Sequence, residues 1–317
     1  SGNHKFVLTG TPVENNLVEL WSIFSFVSPM LLGKFKPFKD YYVDNFSESR
    51  LEELKSRISP FVLRRNKVDV LKELPPKIIQ TFEAELSPTQ KNLYQDILIE
   101  VSESVMSRIR KEGLQKSKIH VLAALLKLRQ IANHPGLIDK SYLEGEEMSG
   151  KTELLKEILI ESVDAGHKIL IFSQFTQMLS ILRREIESLS FDYSYLDGST
   201  PEIKRKDEVQ KFRETDIPIF LISLRAGSYG LNLPEADIVI IFDPWWNPMV
   251  EMQAIDRAHR IGQHKTVNVY KLISKDTIEE KIIQLQEKKR KLFDSVMNVN
   301  NIFKNLTEED IEEFFST

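Results

Sequence analysis

Ile238-Val-Ile-Ile-Phe242 is apolar at every position, with no polar residue on alternate sites. A strand with one wet face alternates; a strand covered on both faces does not. The run is rich in β-branched residues, which suit a pleated surface, and is too short for an ordinary helix. Together with Asp237 it reads as a strand buried on both sides, as in a parallel sheet sandwiched by helices. Working outward, Lys168–Phe172, Ile217–Ser223 and Val267–Ile273 repeat the texture, separated by amphipathic segments of helical length. Alternating strand and helix of this kind predicts a doubly wound α/β lobe with right-handed crossovers, beginning near Lys151.

Upstream the pattern differs. From Glu14 to about Pro135 apolar residues recur at three- and four-residue spacing in WSIFSFV (21–27), ILIEVSESVM (97–106) and VLAALLKLRQIA (121–132). This predicts helices, interrupted by the breakers Pro29, Gly33, Pro37 and Pro75-Pro76. The opening HKFVLTGTP reads as a buried strand and a Thr-Gly-Thr-Pro turn with no partner strand nearby in sequence. Downstream, a charged helix is expected over roughly Thr277–Val296, then an acidic tail with Glu308, Glu309, Asp310, Glu312 and Glu313.

The composition is that of a globular chain: 317 residues, 41% hydrophobic, 28% charged, formal net charge −4, and no cysteine. The length suits two compact units or one unit with a helical insertion. The absence of cysteine excludes disulfides and thiolate metal sites, and no apolar run approaches the length of a bilayer span. These features point to the cytosol or nucleoid. The charge neither favours nor excludes DNA, since phosphate contacts need only a local positive track and oriented amides.

Candidate chemistry starts with QAIDRAHRIGQ (Gln253–Gln263). On a helix, Arg257 and Arg260 would share one face. A permanently charged planar fork suits a transferring phosphoryl group, although such a pair can also be ion-paired surface beside Asp256 and Glu251. Gly145-Glu-Glu-Met-Ser-Gly150-Lys151-Thr152 satisfies the pattern of a phosphate loop. No apolar strand precedes it, however, and Glu146 and Glu147 would repel phosphates in the cradle. It is better read as a loop into the second lobe, with Ser149 capping a helix that begins near Thr152.

Taken in order, LTGTP (8–12), KILIFSQF (168–175), YLDGST (195–200), SLRAGSYGLNL (223–233), DPWWNP (243–248) and QAIDRAHRIGQ resemble the motor motifs of the SWI/SNF family of helicase-like ATPases, in superfamily two. The resemblance covers nearly the whole chain. It implies that residues 1–13 end a first RecA-like lobe, 14–150 form a helical inter-lobe region, 151–275 the second RecA-like lobe, and 276–317 a brace helix and acidic tail. The implied activity is that of an ATP-dependent double-stranded DNA translocase remodelling DNA-bound proteins, with ATP and Mg2+ held mainly by its own N-terminal lobe. The chain alone would be inactive. The organism decides between nucleoid and nucleus.

The same resemblance assigns roles. Arg257 and Arg260 become arginine fingers toward a γ-phosphate. Gln253, Gly230 and Asn232, with Gly10 and Thr11, lie beside the nucleotide. Lys151, Gln174, Ser199, Thr200, Ser223, Arg225 and Gly227 are candidate DNA-backbone contacts. Trp245 and Trp246 either stack on DNA or pack between lobes. Leu63-Arg64-Arg65 resembles the family's inter-lobe arginine pair or is a solvated cluster, and Lys288–Lys291 reads as a solvated helix face. His134 has no second ligand in spacing, so no metal site is expected. A strand-separating helicase and a non-catalytic DNA-binding or docking module remain alternatives.

Overall fold

The computed structural model describes residues 4–9, 17–63, 65, 71, 73–143, 149–227, 230–293 and 307–315. They divide into two compact units, Ser1–Lys72 with Leu285–Leu306, and Glu73–Gln284 with Thr307–Thr317.

In the first unit, α1 (Leu17–Val27), α2 (Phe35–Phe38) and α3 (Glu48–Ile58) surround a small core, with α2 running on into a π-helical turn, Lys39–Asp44. Leu17, Leu20 and Phe24 of α1 recur at helical spacing and bury against Phe38, Tyr42, Leu51 and Leu54. The expected buried strand in the opening residues is not formed. His4–Thr9 joins no ladder, and Phe6 and Leu8 are 83% and 98% exposed. A lone extended segment has no neighbouring strand to receive its backbone hydrogen bonds or cover its side chains.

The second unit is built on a six-stranded sheet, every pairing parallel. In chain order its elements are β1 (Lys77–Ala84), α4 (Pro88–Glu112), α5 (Leu114–Asn133), α6 (Gly150–Asp164), β2 (Ile169–Ser173), α7 (Thr176–Ser188), β3 (Tyr193–Leu196) and α8 (Glu202–Glu214). There follow β4 (Ile219–Ser223), α9 (Leu224–Gly227), β5 (Ile238–Ile241), α10 (Pro248–Ile255), β6 (Val267–Ser274), the part of α11 (Ile278–Phe293) that precedes Leu285, and α12 (Glu308–Phe315). The strand order is β1-β6-β5-β2-β4-β3, with Ile171 of β2 facing Leu221 of β4 and Ile240 of β5.

The unbroken apolar runs are explained by the two cores. Ile169 and Ile171 point to one face, against Leu155 and Leu159 of α6 and Met178, Leu179 and Leu182 of α7. Leu170 and Phe172 point to the other, against Phe212 of α8 and Ala254 and Ile255 of α10. Period-two alternation is still present, but both of its faces are interior.

Two sequence expectations need correction. The region Glu14–Gly150 was expected to be helical and separate from the sheet, yet Lys77–Ala84 is a strand, paired in parallel with Val267–Ser274. It is an edge strand, so Gln80, Thr81 and Glu83 are tolerated and no continuous apolar run marks it. The compact unit accordingly begins at Glu73, not at Lys151. The acidic tail is also helical: Ile311, Phe314 and Phe315 of α12 are buried while Glu309, Glu312 and Glu313 stay exposed. No helix among the described residues is long and apolar enough to cross a membrane.

Candidate nucleotide and nucleic-acid interface

The segments that follow β2, β3, β4 and β5 leave the carboxyl ends of parallel strands, where an open α/β sheet presents its binding loops. After β3, Asp197 organises the turn. Its Oδ1 accepts from the Ser199 N–H at 2.8 Å, the Ser199 hydroxyl at 2.7 Å and the Thr200 N–H at 3.1 Å. Burial pushes the Asp197 carboxyl up, but these bonds and that from Tyr195 outweigh it and hold it below its usual value. Ser199 is exposed and Thr200 half-buried, so a phosphate can reach the turn although both hydroxyls are engaged with Asp197.

After β4, the buried Ser223 hydroxyl accepts from the Ala226 N–H at 3.2 Å and so stabilises the short turn of α9. Arg225 is exposed. Gly227 lies where a Cβ would come 2.9 Å from the Phe172 ring, which accounts for the glycine by packing. Gly230, at φ +57°, turns the chain into Leu231–Leu233, where Asn232 is exposed.

After β5, Asp243 is fully buried and accepts from the Ser173 hydroxyl and from the Gln174 N–H at 3.1 Å. Burial pushes its carboxyl up to about 6, against the pull of Arg129, Ser173 and Lys151. Trp245 is half-buried, and its backbone N–H donates to Glu251 Oε1 at 2.7 Å. Trp246 is buried and meets the Phe314 ring of α12 edge-on, with centroids 5.8 Å apart. In this arrangement Trp246 packs within its own unit, and Trp245 is the ring with solvent access.

The DRAHRIG segment departs from its expected helix. α10 ends at Ile255, and Asp256–Gly262 is a succession of turns, closed by Gly262 at φ +99° against Pro234. Gln253 is half-buried on α10, whereas Arg257 and Arg260 lie beyond it, so no common helix face carries the three. Arg257 is 7% exposed, donates from Nη1 to the Leu231 carbonyl at 3.4 Å, and through its own carbonyl accepts from the Leu233 N–H at 3.0 Å. Burial, then repulsion from Arg260, lowers its proton affinity. Arg260 is half-exposed, and its Nε donates to the Asp256 carbonyl at 2.9 Å. Of the pair, Arg260 is the accessible cation.

Lys151 is not at a DNA-facing surface. Its Nζ lies 2.6 Å from Glu279 Oε2, 2.8 Å from Asn133 Oδ1 and 3.0 Å from the Phe242 carbonyl, and neither Lys151 nor Glu279 has side-chain exposure. A cation held in this way cannot reach a phosphate without breaking a buried ion pair. The rest of the phosphate-loop pattern is structural too. Ser149 caps α6 by accepting from the Thr152 N–H at 3.2 Å, and a Cβ on Gly150 would lie 1.7 Å from the Glu85 carbonyl oxygen. Gly10, Thr11, Arg64 and Gly145–Met148 lie outside the described residues.

Sequence reasoning missed Arg129, which lies beneath the loops after β2 and β5. The available signal was its place in VLAALLKLRQIA: four residues after Leu125 it falls on the buried ridge of α5, where a charge requires partners.

The helicase conserved C-terminal domain matches residues 150–262, and the SNF2-related domain matches residues 1–137. The Sulfolobus solfataricus SWI2/SNF2 ATPase C-terminal domain is 34% identical, covers 75% of this chain with 97% of its own length matched, and superposes with a TM-score of 0.60. The chain belongs to the SWI2/SNF2 family of helicase-like ATPases. The Sulfolobus SWI2/SNF2 ATPase core in complex with dsDNA is 38% identical over 96% of this SWI2/SNF2 chain and 65% of its own, at a TM-score of 0.63. The uncharacterized ATP-dependent helicase MG018 of Mycoplasma genitalium is 38% identical over 99% of this chain. The chain spans 30% of that relative's length.

Proposed function

We infer that this chain is the second-lobe half of an ATP-dependent double-stranded DNA translocase that remodels protein–DNA complexes. The Gln174, Ser199–Thr200, Ser223–Gly227 and Trp245 loops would track the DNA backbone. Arg260, with Arg257, would approach the γ-phosphate of an ATP held with Mg2+ chiefly by a first RecA-like lobe of the same protein. Among the described residues no cluster of three or more His, Asp or Glu could hold a metal ion, so nothing in this half is assigned to Mg2+. ATP, when bound, would supply the phosphoanhydride bond whose hydrolysis would alternate closure and opening of the lobes. Gln253, Gly230 and Asn232 would then line the nucleotide side.

The observation that carries this reading is the hydrogen-bonded junction between Arg257 and Leu231–Leu233. It makes the arginine turn and the segment following the β4 loop one mechanical piece. A shift of the arginines on hydrolysis would therefore be passed to the segment that follows the DNA-facing Ser223–Gly227 loop in the chain. The solved relative bound to dsDNA supports duplex as the track. The partial exposure of Arg260 fits a finger, whose worth in rate is roughly a thousandfold or more.

The test is binding of the chain to labelled duplex and single-stranded oligonucleotides across a salt series. Backbone tracking predicts preference for duplex and affinity that falls steeply with salt. Equal or salt-independent binding would overturn the reading.

A further inference from the structure

We propose that Arg129 is a positioning residue for the DNA-facing loops: its guanidinium sets the spacing between the Ser173–Phe175 turn and the Asp243–Trp246 turn, and ties both to α5. The consequence for DNA rests on the duplex reading above.

Arg129 is 2% exposed on a helix whose inward positions Leu125, Leu128, Ile131 and Ala132 are apolar, and whose next buried polar side chain, Asn133, accepts from Lys151. Burying a cation there carries a desolvation cost that an apolar side chain would avoid. Its contacts show what that charge holds. Nη2 donates to the Pro244 carbonyl, and the Gln174 amide, with its oxygen turned to the guanidinium, accepts from Nη1 at 2.6 Å and from Nη2. Asp243 Oδ1 is 3.9 Å from Nη2, and the rings of Phe175, Trp245 and Trp246 have centroids 5.5, 5.9 and 5.4 Å from the guanidinium carbon.

One planar group therefore spans loops from β2 and β5, neighbouring strands of the sheet. Asp243 crosses the same gap from the other side, accepting from Ser173 and Gln174. The carboxylate thus takes two bonds from the Ser173–Phe175 turn, while the guanidinium bonds to both turns. A mere counterion for Asp243 could equally be a lysine. The fork to Gln174 and Pro244, and the stacking among three rings, need the planar guanidinium.

That difference gives the experiment. In a Trp21→Phe background only Trp245 and Trp246 report fluorescence, the chain having 3 tryptophans. Arg129→Lys keeps the charge and removes the fork. Positioning predicts a red-shifted, more quenchable emission and duplex affinity lower by about fivefold or more, the worth of one net hydrogen bond. On a Gln174→Leu background the same substitution should add little further loss. A lysine variant with unchanged emission and affinity would overturn the proposal and leave Arg129 a counterion. Should that variant not fold, Gln174→Leu alone decides, at a half-exposed position: red-shifted tryptophan emission supports positioning, and unchanged emission overturns it. If the unsubstituted chain binds no duplex, the DNA reading fails while the emission measurement still decides the role of Arg129.

Discussion

Lys151 Nζ and Glu279 Oε2 are 2.6 Å apart with neither side chain exposed, which links the first turn of α6 to the first turn of α11. Breaking a buried pair by removing one partner costs about 3–5 kcal/mol, because the other charge is left stranded. Lys151→Met should therefore lower the thermal midpoint sharply, whereas Lys151→Met with Glu279→Leu should recover much of it. Calorimetry of the single and double variants checks this. A single variant with native stability would return Lys151 to the list of surface cations.

Gly150 gives a second prediction. Because a Cβ there would overlap the Glu85 backbone carbonyl, Gly150→Ala should cost about 3 kcal/mol or more, through displacement of α6 from the end of β1. Chemical denaturation measures it. A stability loss within experimental error would show that the close approach is relaxed in solution.

Asp243 makes stability depend on pH in an unusual direction. Its carboxyl is raised by burial from 3.8 to about 6, so the folded chain holds this proton more tightly than the unfolded chain. The stabilisation is fully present below the unfolded value and is lost as pH rises through about 6, a contribution of about 3 kcal/mol. Asp197 and Asp237, both held below their usual value, act oppositely and weaken the fold as pH falls. Subtracting the stability curve of Asp243→Asn from that of the parent between pH 4 and 7 isolates Asp243. The difference should move against the parent as pH rises; a flat difference would mean that Asp243 stays ionised throughout.

How far the sequence carried depended on whether a residue's environment could be read from its neighbours. The buried strands were legible because both faces of Ile169–Ser173 and Ile238–Ile241 are interior, so every position but the terminal Ser173 is apolar. β1 was not, because an edge strand may keep Gln80 and Glu83 and look like loop. Ser223 and Asp243 were placed correctly at strand ends, since each adjoins an apolar run directly, whereas β3 before Ser199, Tyr-Ser-Tyr-Leu, carries no such run. Arg257 and Arg260 were found by type but set on a helix that ends before them; their turn is shaped by distant partners, Leu231 and Pro234, which spacing cannot reveal. Lys151 and Arg129 failed for the same reason in opposite senses. The first looked like a surface cation and the second like helix filler, and both are buried cations whose partners lie far along the chain.

Arg260 is the accessible cation of the arginine turn. ATP hydrolysis by the whole protein that carries this chain, measured with and without duplex DNA for the parent and for Arg260→Ala, tests its role most directly. The variant is expected to retain ATP and duplex binding but to lose duplex-stimulated turnover by roughly a thousandfold. Turnover near that of the parent would contradict it.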